Sequence, residues 1–283
     1  MLSIIKEIIF KEFSEKVNTV NSLSGGSINK VYRCQTTTND LAIKINQKDH
    51  FPNMFEKEKL GLEYLARSPF IIPKVISVGN FNNLSFIILE HIQSGKPINW
   101  GLFGENLAAL HNITNDQFGL DHDNYIGSLV QLNTYEKTWE DFYINQRILA
   151  LTIKARDKGL MNYNDCQKTE SLCQNLSNII PYSKPALIHG DLWTGNLISN
   201  QDGDPVLIDP AIYYGHPEMD IAMLYLFGSV PQLAIESYQS IKSMEKGWED
   251  RLDLHQLYPL LVHLLLFGEG YYNDVINIIN KYN

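Results

Sequence analysis

Three cysteines in 283 residues, Cys34, Cys166 and Cys173, are too few and too scattered for a disulfide framework. Cys166 and Cys173 are also too far apart for a CxxC metal site, so a reducing, cytoplasmic setting fits this usage. No run of about 18 apolar residues occurs, which argues against a membrane-spanning helix. The longest candidate, Leu257 to Phe267, is interrupted by Pro259 and His263. The opening MLSIIKEIIFKEFSEK carries charges at helical spacing and lacks a small-residue cleavage site, so it reads as an amphipathic helix and not as a signal peptide. Internal repeats and low-complexity stretches are also missing. Basic residues are outnumbered: 23 Lys+Arg against 32 Asp+Glu leave a net charge of -9, and the lysines and arginines form no stripe. Nucleic acid is therefore a poor partner. The acidic balance suits an amine-bearing substrate over an anionic one, although the ordinary acidity of cytosolic proteins accounts for it equally.

What is present begins with the segment LIHGDLWTGNLISNQDGDPVLIDPA, residues 187–211. Within it His189, Asp191 and Asn196 stand at the spacing H-x-D-x4-N, and an apolar strand, Pro205 to Ile208, then ends in Asp209. Each residue alone says little: an Asp after a strand is commonly a turn former or cap, and an Asn between Gly195 and Leu197 a turn residue. The set at fixed offsets describes a phosphoryl-transfer site. In this reading Asp191 accepts the proton of an attacking hydroxyl, the side-chain carbonyl of Asn196 ligates Mg2+, and Asp209 adds a carboxylate to the same metal. Phosphoryl transfer asks a protein mainly to position the nucleophile and neutralise charge, and two carboxylates with one amide can do both. A decayed site on the same scaffold is the competing reading.

Ahead of that segment, residues 1–93 read as a small α/β lobe that leads into a second lobe, 94–283. After the N-terminal helix, Val17 to Val20 and Leu23 to Arg33 form a hairpin around Gly25 and Gly26, and the strand Leu41 to Ile45 follows a turn at Thr38 to Asp40. The two glycines let backbone N–H groups approach phosphates, or simply make a β-turn. Lys44, among apolar neighbours, follows that loop and precedes a helix, Met54 to Ala66, carrying Glu56 and Glu58. It is placed to bridge nucleotide phosphates while a carboxylate holds it, Glu58 first and Glu56 second. The same helix is expected to bury Leu60, Leu62 and Leu65. Strands at Lys74 to Val78 and Leu84 to Leu89 are joined by a turn, Gly79 to Asn83. Glu90, His91 and Ile92 then leave the sheet as an extended segment whose backbone can face the edge of adenine, before a linker at Ser94 to Pro97.

From Asn99 onward the pattern is helical. One helix ends near Ile113, Tyr135 to Lys158 reads as another, and Asp220 to Phe227 and Leu252 to Tyr282 as later helical regions. His111 reads as a packed or capping histidine. Asn124 to Gly127, with Gln131 and Asn133, is polar and forms either a substrate-lining loop or a solvated one.

Together these motifs resemble the fructosamine kinase (ketosamine-3-kinase) family, within the wider aminoglycoside-phosphotransferase-like kinases. HGD with Asn196 and Asp209 marks the wider group. The narrower one is suggested by HGDLWTGN with Trp193, by the run Ile208 to Met223, by Leu226-Phe227-Gly228, and by Leu257 to His263 with Phe267-Gly268. Gly25 to Asn29, Met54 to Glu58, and Asn124 to Gly127 with Gln131 and Asn133 match as well. The resemblance covers almost the whole chain. It implies an α+β, two-lobed protein-kinase-like fold, with a small antiparallel-sheet N-lobe and a mainly helical C-lobe. It also implies ATP- and Mg2+-dependent phosphorylation of a small-molecule ketosamine on its C3 hydroxyl, in repair of glycated amines. On this basis Asp191 is the base, Asn196 and Asp209 bind metal, Lys44 contacts phosphate with Glu58 as its partner, and Glu90, His91 and Ile92 contact adenine. Asp220 braces the catalytic loop, with His189 as further support, and Trp193 either packs on the sugar or is plain core. One departure is Ser27, where some relatives carry a redox-active cysteine, so no disulfide switch is expected there. Kinases of another small alcohol (aminoglycoside, choline-like or sugar) and a nucleotide-binding pseudoenzyme are the alternatives.

Overall fold

The computed structural model of the protein describes residues 1–23 and 29–283, so Gly25, Gly26 and Ser27 lie outside the described residues. Helix α1 (Leu2–Phe13) is followed by strands β1 (Thr19–Leu23), β2 (Lys30–Gln35) and β3 (Asp40–Gln47), helix α2 (Met54–Leu65), and strands β4 (Val75–Phe81) and β5 (Leu84–Glu90). The five strands form one antiparallel sheet in the order β1-β2-β3-β5-β4. The sequence of β5, LSFIILE, is almost wholly apolar because both faces of the sheet are covered. Phe86 and Ile88 pack with Ile43 and Ile45 of β3 against Ile5, Ile8 and Ile9 of α1. Ile87 and Leu89 point the other way, against Phe55 and Leu62 of α2. Period-two alternation on β3 therefore turns Lys44 away from α1 and toward α2.

Beyond β5 the chain is mainly helical. Helix α3 (Trp100–His111) starts where the Asn99 side chain accepts the Leu102 N–H at 3.1 Å. A hairpin of β6 (Asn124–Ile126) and β7 (Leu129–Gln131) precedes one helical stretch: α4 (Trp139–Phe142), a π turn (Tyr143–Ile148) and α5 (Leu149–Asp157). Helix α6 (Tyr163–Ile179) leads to the short strands β8 (Ala186–Ile188), β9 (Leu197–Ser199), β10 (Pro205–Leu207) and β11 (Tyr213–Gly215). Helices α7 (Glu218–Leu226), α8 (Gln232–Ile241), α9 (Leu252–Phe267) and α10 (Tyr272–Lys281) close the chain. Pro259 lies inside α9 and cannot donate to the His255 carbonyl one turn earlier; the Tyr143 hydroxyl does so instead, at 3.3 Å, while also bonding Leu254 O at 2.7 Å. Among the described residues, no helix is long and apolar enough to cross a membrane.

Several local expectations are corrected. Leu60 is 38% exposed, because α2 turns Met54, Phe55, Leu62 and Leu65 inward and Leu60 lies about 200° around the helix from Leu62. Strand β4 continues through Gly79 to Phe81, so the turn shrinks to Asn82, with φ 55°, and Asn83. The helix expected from Tyr135 begins at Trp139, where the Thr138 hydroxyl accepts the Asp141 N–H at 3.1 Å. Asn124 to Gln131 is a hairpin with buried amides and not a solvated loop. Helices α6 and α8 are additional to those expected from the sequence.

Candidate active site

Strand β8 pairs with β11 and delivers the chain into His189, Gly190 and Asp191. Asp220, buried in the first turn of α7, accepts the N–H of His189 at 2.7 Å and that of Gly190 at 2.9 Å, and meets His111 Nε2 at 3.2 Å. The other nitrogen of His111 meets the Tyr238 hydroxyl at 2.9 Å, so His111 is a packed residue. His189 Nε2 donates to Ile208 O at 2.9 Å, which leaves Nδ1 to accept the Asp191 N–H at 3.3 Å. Gly190 has φ 80°, and a Cβ there would collide with the Ala211 carbonyl, so this crossing of backbones requires glycine.

Asn196 Nδ2 donates at 2.9 Å to both the main-chain oxygen and Oδ2 of Asp191. A backbone carbonyl can only accept, so the amide orientation is fixed and Asn196 Oδ1 is left over. Oδ1 of Asp191 has no hydrogen-bond partner among the described residues. Burial pushes the Asp191 carboxyl up, the Asn196 hydrogen bond pulls it down and the Asp220 charge raises it, with the balance at about 6. The β9–β10 hairpin returns the chain to the same place: Ile208 N–H bonds Asn196 O at 3.1 Å, and Asp209 follows with φ 55°. Its carboxylate, 41% exposed, opens into the cleft and pairs with Lys44 Nζ. Lys44 also holds Glu58 Oε1 at 2.5 Å, whereas Glu56 is exposed. Asp209 and the remaining oxygen of Asn196 form an all-oxygen donor set on one cleft, which suits a hard cation such as Mg2+.

The cleft is a cavity of about 540 Å³ that joins Lys44, Glu58, Asp191, Asn196 and Asp209 to the β6–β7 hairpin and to Trp193. Trp193 is half-buried, with its ring over Gly195, where a Cβ would strike it, and edge-on to Phe227 at 6.4 Å. It is a wall of the cleft. Glu90, His91 and Ile92 do not line this cavity. The Glu90 N–H is taken by Lys74 O at 2.9 Å and the His91 N–H by Asp40 O at 3.1 Å; the Ile92 N–H has no backbone partner among the described residues.

Two polar groups support this region; the sequence marks the amides Asn124, Gln131 and Asn133 of the first, but not Arg147 or the Glu218 cluster. Gln131 Nε2 bonds Ala211 O at 2.9 Å and Asn124 Oδ1 at 2.7 Å, its Oε1 accepts from the Tyr258 hydroxyl at 2.7 Å, and Asn124 Nδ2 reaches Ile212 O at 2.8 Å. Arg147, presented by the π turn, bonds Asn133 Oδ1 at 2.7 Å and lies 4.1 Å over the Tyr213 ring. This network fixes the hairpin against the segment after Asp209. The second group is Glu218, held by Arg251 at 2.7 and 2.5 Å and by His255 Nε2 at 3.1 Å, beside His216. His216, Glu218 and His255 gather ligand-type atoms within 4.8 Å of one another, but both oxygens of Glu218 are already engaged by the guanidinium, so a divalent ion would have to displace it. That cluster braces the fold.

A catalytic loop, a lysine–glutamate pair and a metal-type carboxylate on one cleft describe a kinase, and the fructosamine kinase family model matches residues 1–283. The chain belongs to the fructosamine kinase family. Over 263 residues it is 37% identical to an Enterococcus faecium protein named probable ketoamine kinase, covering 91% of this chain and 93% of the relative. Over 289 residues it is 35% identical to an Arabidopsis thaliana protein named protein-ribulosamine 3-kinase, chloroplastic, covering 98% and 87%. A Thermobifida fusca crystal structure named for a fructosamine-3-kinase superposes with a TM-score of 0.86 at 32% identity, over 98% of this chain and 97% of that one. An aminoglycoside phosphotransferase solved with AMP-PNP and hygromycin B shares the fold at 16% identity, with a TM-score of 0.66 over 97% and 98% of the chains. This member of the fructosamine kinase family is an ATP-dependent phosphotransferase with the two-lobed, protein-kinase-like fold.

Proposed function

We propose that the protein phosphorylates the C3 hydroxyl of a ketosamine, with ATP and Mg2+, in the repair of glycated amines. The observation that carries this reading is the unpartnered Oδ1 of Asp191 on a cleft shared with Asn196, Asp209 and Lys44. The substrate hydroxyl approaches that oxygen and gives up its proton as it attacks the γ-phosphorus, while the bond to the departing ADP oxygen breaks in line. Asn196 and Asp209 would hold Mg2+, which neutralises charge on the phosphates when bound. Lys44 passes from Asp209 to the phosphates, and Glu58 keeps its ammonium in place. His189 and Asp220 hold the loop, and Trp193 packs on the acceptor side. Adenine contact falls to the segment Glu90 to Ile92, where the Ile92 N–H and backbone carbonyls are the groups that remain for it.

The chemistry after transfer supports the repair role. A ketone at C2 acidifies the neighbouring C1–H bonds, so phosphate placed on C3 departs by elimination and the adduct falls apart. Relatives named ketoamine kinase and ribulosamine 3-kinase support the acceptor class. Three free, buried cysteines support a cytoplasmic setting. The deciding experiment measures ADP formation across ketosamines, aminoglycosides and choline, with the phosphorylated position found by NMR. A ketosamine with a free C3 hydroxyl should be turned over and its product should release phosphate slowly, while a 3-deoxy analogue is inert. Turnover of aminoglycosides with none of ketosamines would replace the acceptor and leave phosphotransfer standing.

A further inference from the structure

Helix α2 carries Glu58 between two bodies. One side packs under the sheet, where Phe55 and Leu62 meet Ile87 and Leu89 of β5. The other side is pinned to the helical part of the molecule at three points. Just past its end, the Arg67 guanidinium donates to the Tyr214 hydroxyl at 3.1 Å. In its middle, Gly61 lies so close to the segment after Asp209 that a Cβ would stand 3.1 Å from Pro210 Cγ. At its start, the Tyr125 hydroxyl of the β6–β7 hairpin donates to Pro52 O at 3.1 Å, and the Lys57 ammonium lies 5.1 Å over the same ring. Tyr214 does not line the cleft, whereas Tyr125 and Lys57 line it together with Asp191.

The start of α2 is not set by its own residues. Asn53, in the capping position, has φ 56° and its side chain makes no capping bond, so the helix is placed by whatever holds the residues before it. Those residues, 48–53, join β3 to α2 and so connect the strand of Lys44 to the helix of Glu58. Phe51 in this stretch also meets the Tyr125 ring edge-on, at 6.4 Å. Tyr125 therefore grips the stretch of chain from which both members of the Lys44–Glu58 pair are hung.

Resting on the ketosamine reading above, we propose that Tyr125 is a positioning residue that couples the acceptor to the nucleotide. A ketosamine seated against the hairpin fixes Tyr125, Tyr125 fixes residues 48–53, and the Lys44–Glu58 pair is then already ordered for the phosphates. Each ligand spares the other part of the cost of ordering, so either one tightens the other by the same factor.

Calorimetry with ligands that do not react together tests this. AMP-PNP with Mg2+ is titrated in the absence and presence of the saturating fructose adduct of benzylamine, a ketosamine with its C3 hydroxyl in place. In the parental protein the adduct should tighten AMP-PNP about fivefold, and hydrogen exchange of residues 48–58 should slow when it binds. Tyr125→Phe keeps the ring and removes the hydroxyl. The factor should then fall below about twofold, and exchange in 48–58 should no longer respond to the adduct. Tyr214→Phe removes an anchor outside the cleft and should weaken AMP-PNP equally with and without the adduct, leaving the factor as it was. A parental protein without coupling, coupling fully kept in Tyr125→Phe, or coupling lost as much in Tyr214→Phe overturns the tether and leaves the ketosamine reading intact. An adduct that does not bind overturns both.

Discussion

Asp191 and Glu218 are carboxylates of the same region, one just after β8 and one opening α7, and the protein drives them in opposite directions. Burial raises both. Asp191 then meets one amide and a neighbouring negative charge, and settles at about 6. Glu218 meets His255 and the Arg251 guanidinium, whose hydrogen bonds overcome burial and carry it to about 2. Burial is therefore common to the working site and the structural one, and the partners separate them. A carboxylate with an oxygen left over can take a proton from a substrate; one with both oxygens saturated can only hold elements together.

The widest separation between the two should come from Asp191→Asn. Turnover is expected to fall by about 10² to 10⁴, with nucleotide affinity by calorimetry nearly unchanged, since the proposed base meets the acceptor and not ATP. A variant with near-parental kcat would place Asp191 in the same class as Glu218. Arg251→Ala is the converse experiment. It strands a buried charge, and urea denaturation should register a loss of about 3–5 kcal/mol, while the protein that remains folded keeps its kcat. An unmoved unfolding midpoint would remove the bracing role.

Within the cleft, Asp209→Ala and Asn196→Ala should both weaken the response to Mg2+, Asp209 further because it supplies charge as well as a ligand. Magnesium titrations that overlay the parental curve in both variants would exclude these two as ligands. The smallest effect is in pH. In the proposed role of base Asp191 must be ionised, so kcat/KM should rise through about pH 6 and level off above it. For stability the two groups have opposite signs. The raised pKa of Asp191 favours the folded state below about pH 4, and that contribution is lost as pH climbs through about 6. The depressed pKa of Glu218 contributes stability above about pH 4.5, lost as pH falls toward 2. On acidification, activity should therefore disappear before the far-UV circular dichroism changes. Coincident loss would tie the activity to unfolding.

The two regions also differ in how far the sequence reveals them. Asp191, Asn196 and Asp209 sit on one short segment at offsets set by a loop and a hairpin, and Lys44 is betrayed by its place in an apolar strand, so local pattern finds them all. The choice of Glu58 over Glu56 follows from which side of α2 faces β3. Arg251 and His255 belong to Glu218 through contacts spanning 33 and 37 positions, for which no local spacing exists. Arg147 is hidden for a further reason: a π turn shifts the helix register, and its partners are ring faces from distant elements. Leu60 shows the limit of periodicity itself, since an apolar residue on the outer side of a helix looks like core until a neighbouring element is placed.

Asp220 gives the floor of the cleft its own clock. The amide protons of His189 and Gly190 both end on this buried carboxylate, which is in turn tied through His111 to α3 and α8. No small fluctuation frees them. Their exchange with deuterium must wait for the C-terminal helices to separate, so these two amides belong with the slowest in the molecule. The loop they belong to therefore stays put between one turnover and the next.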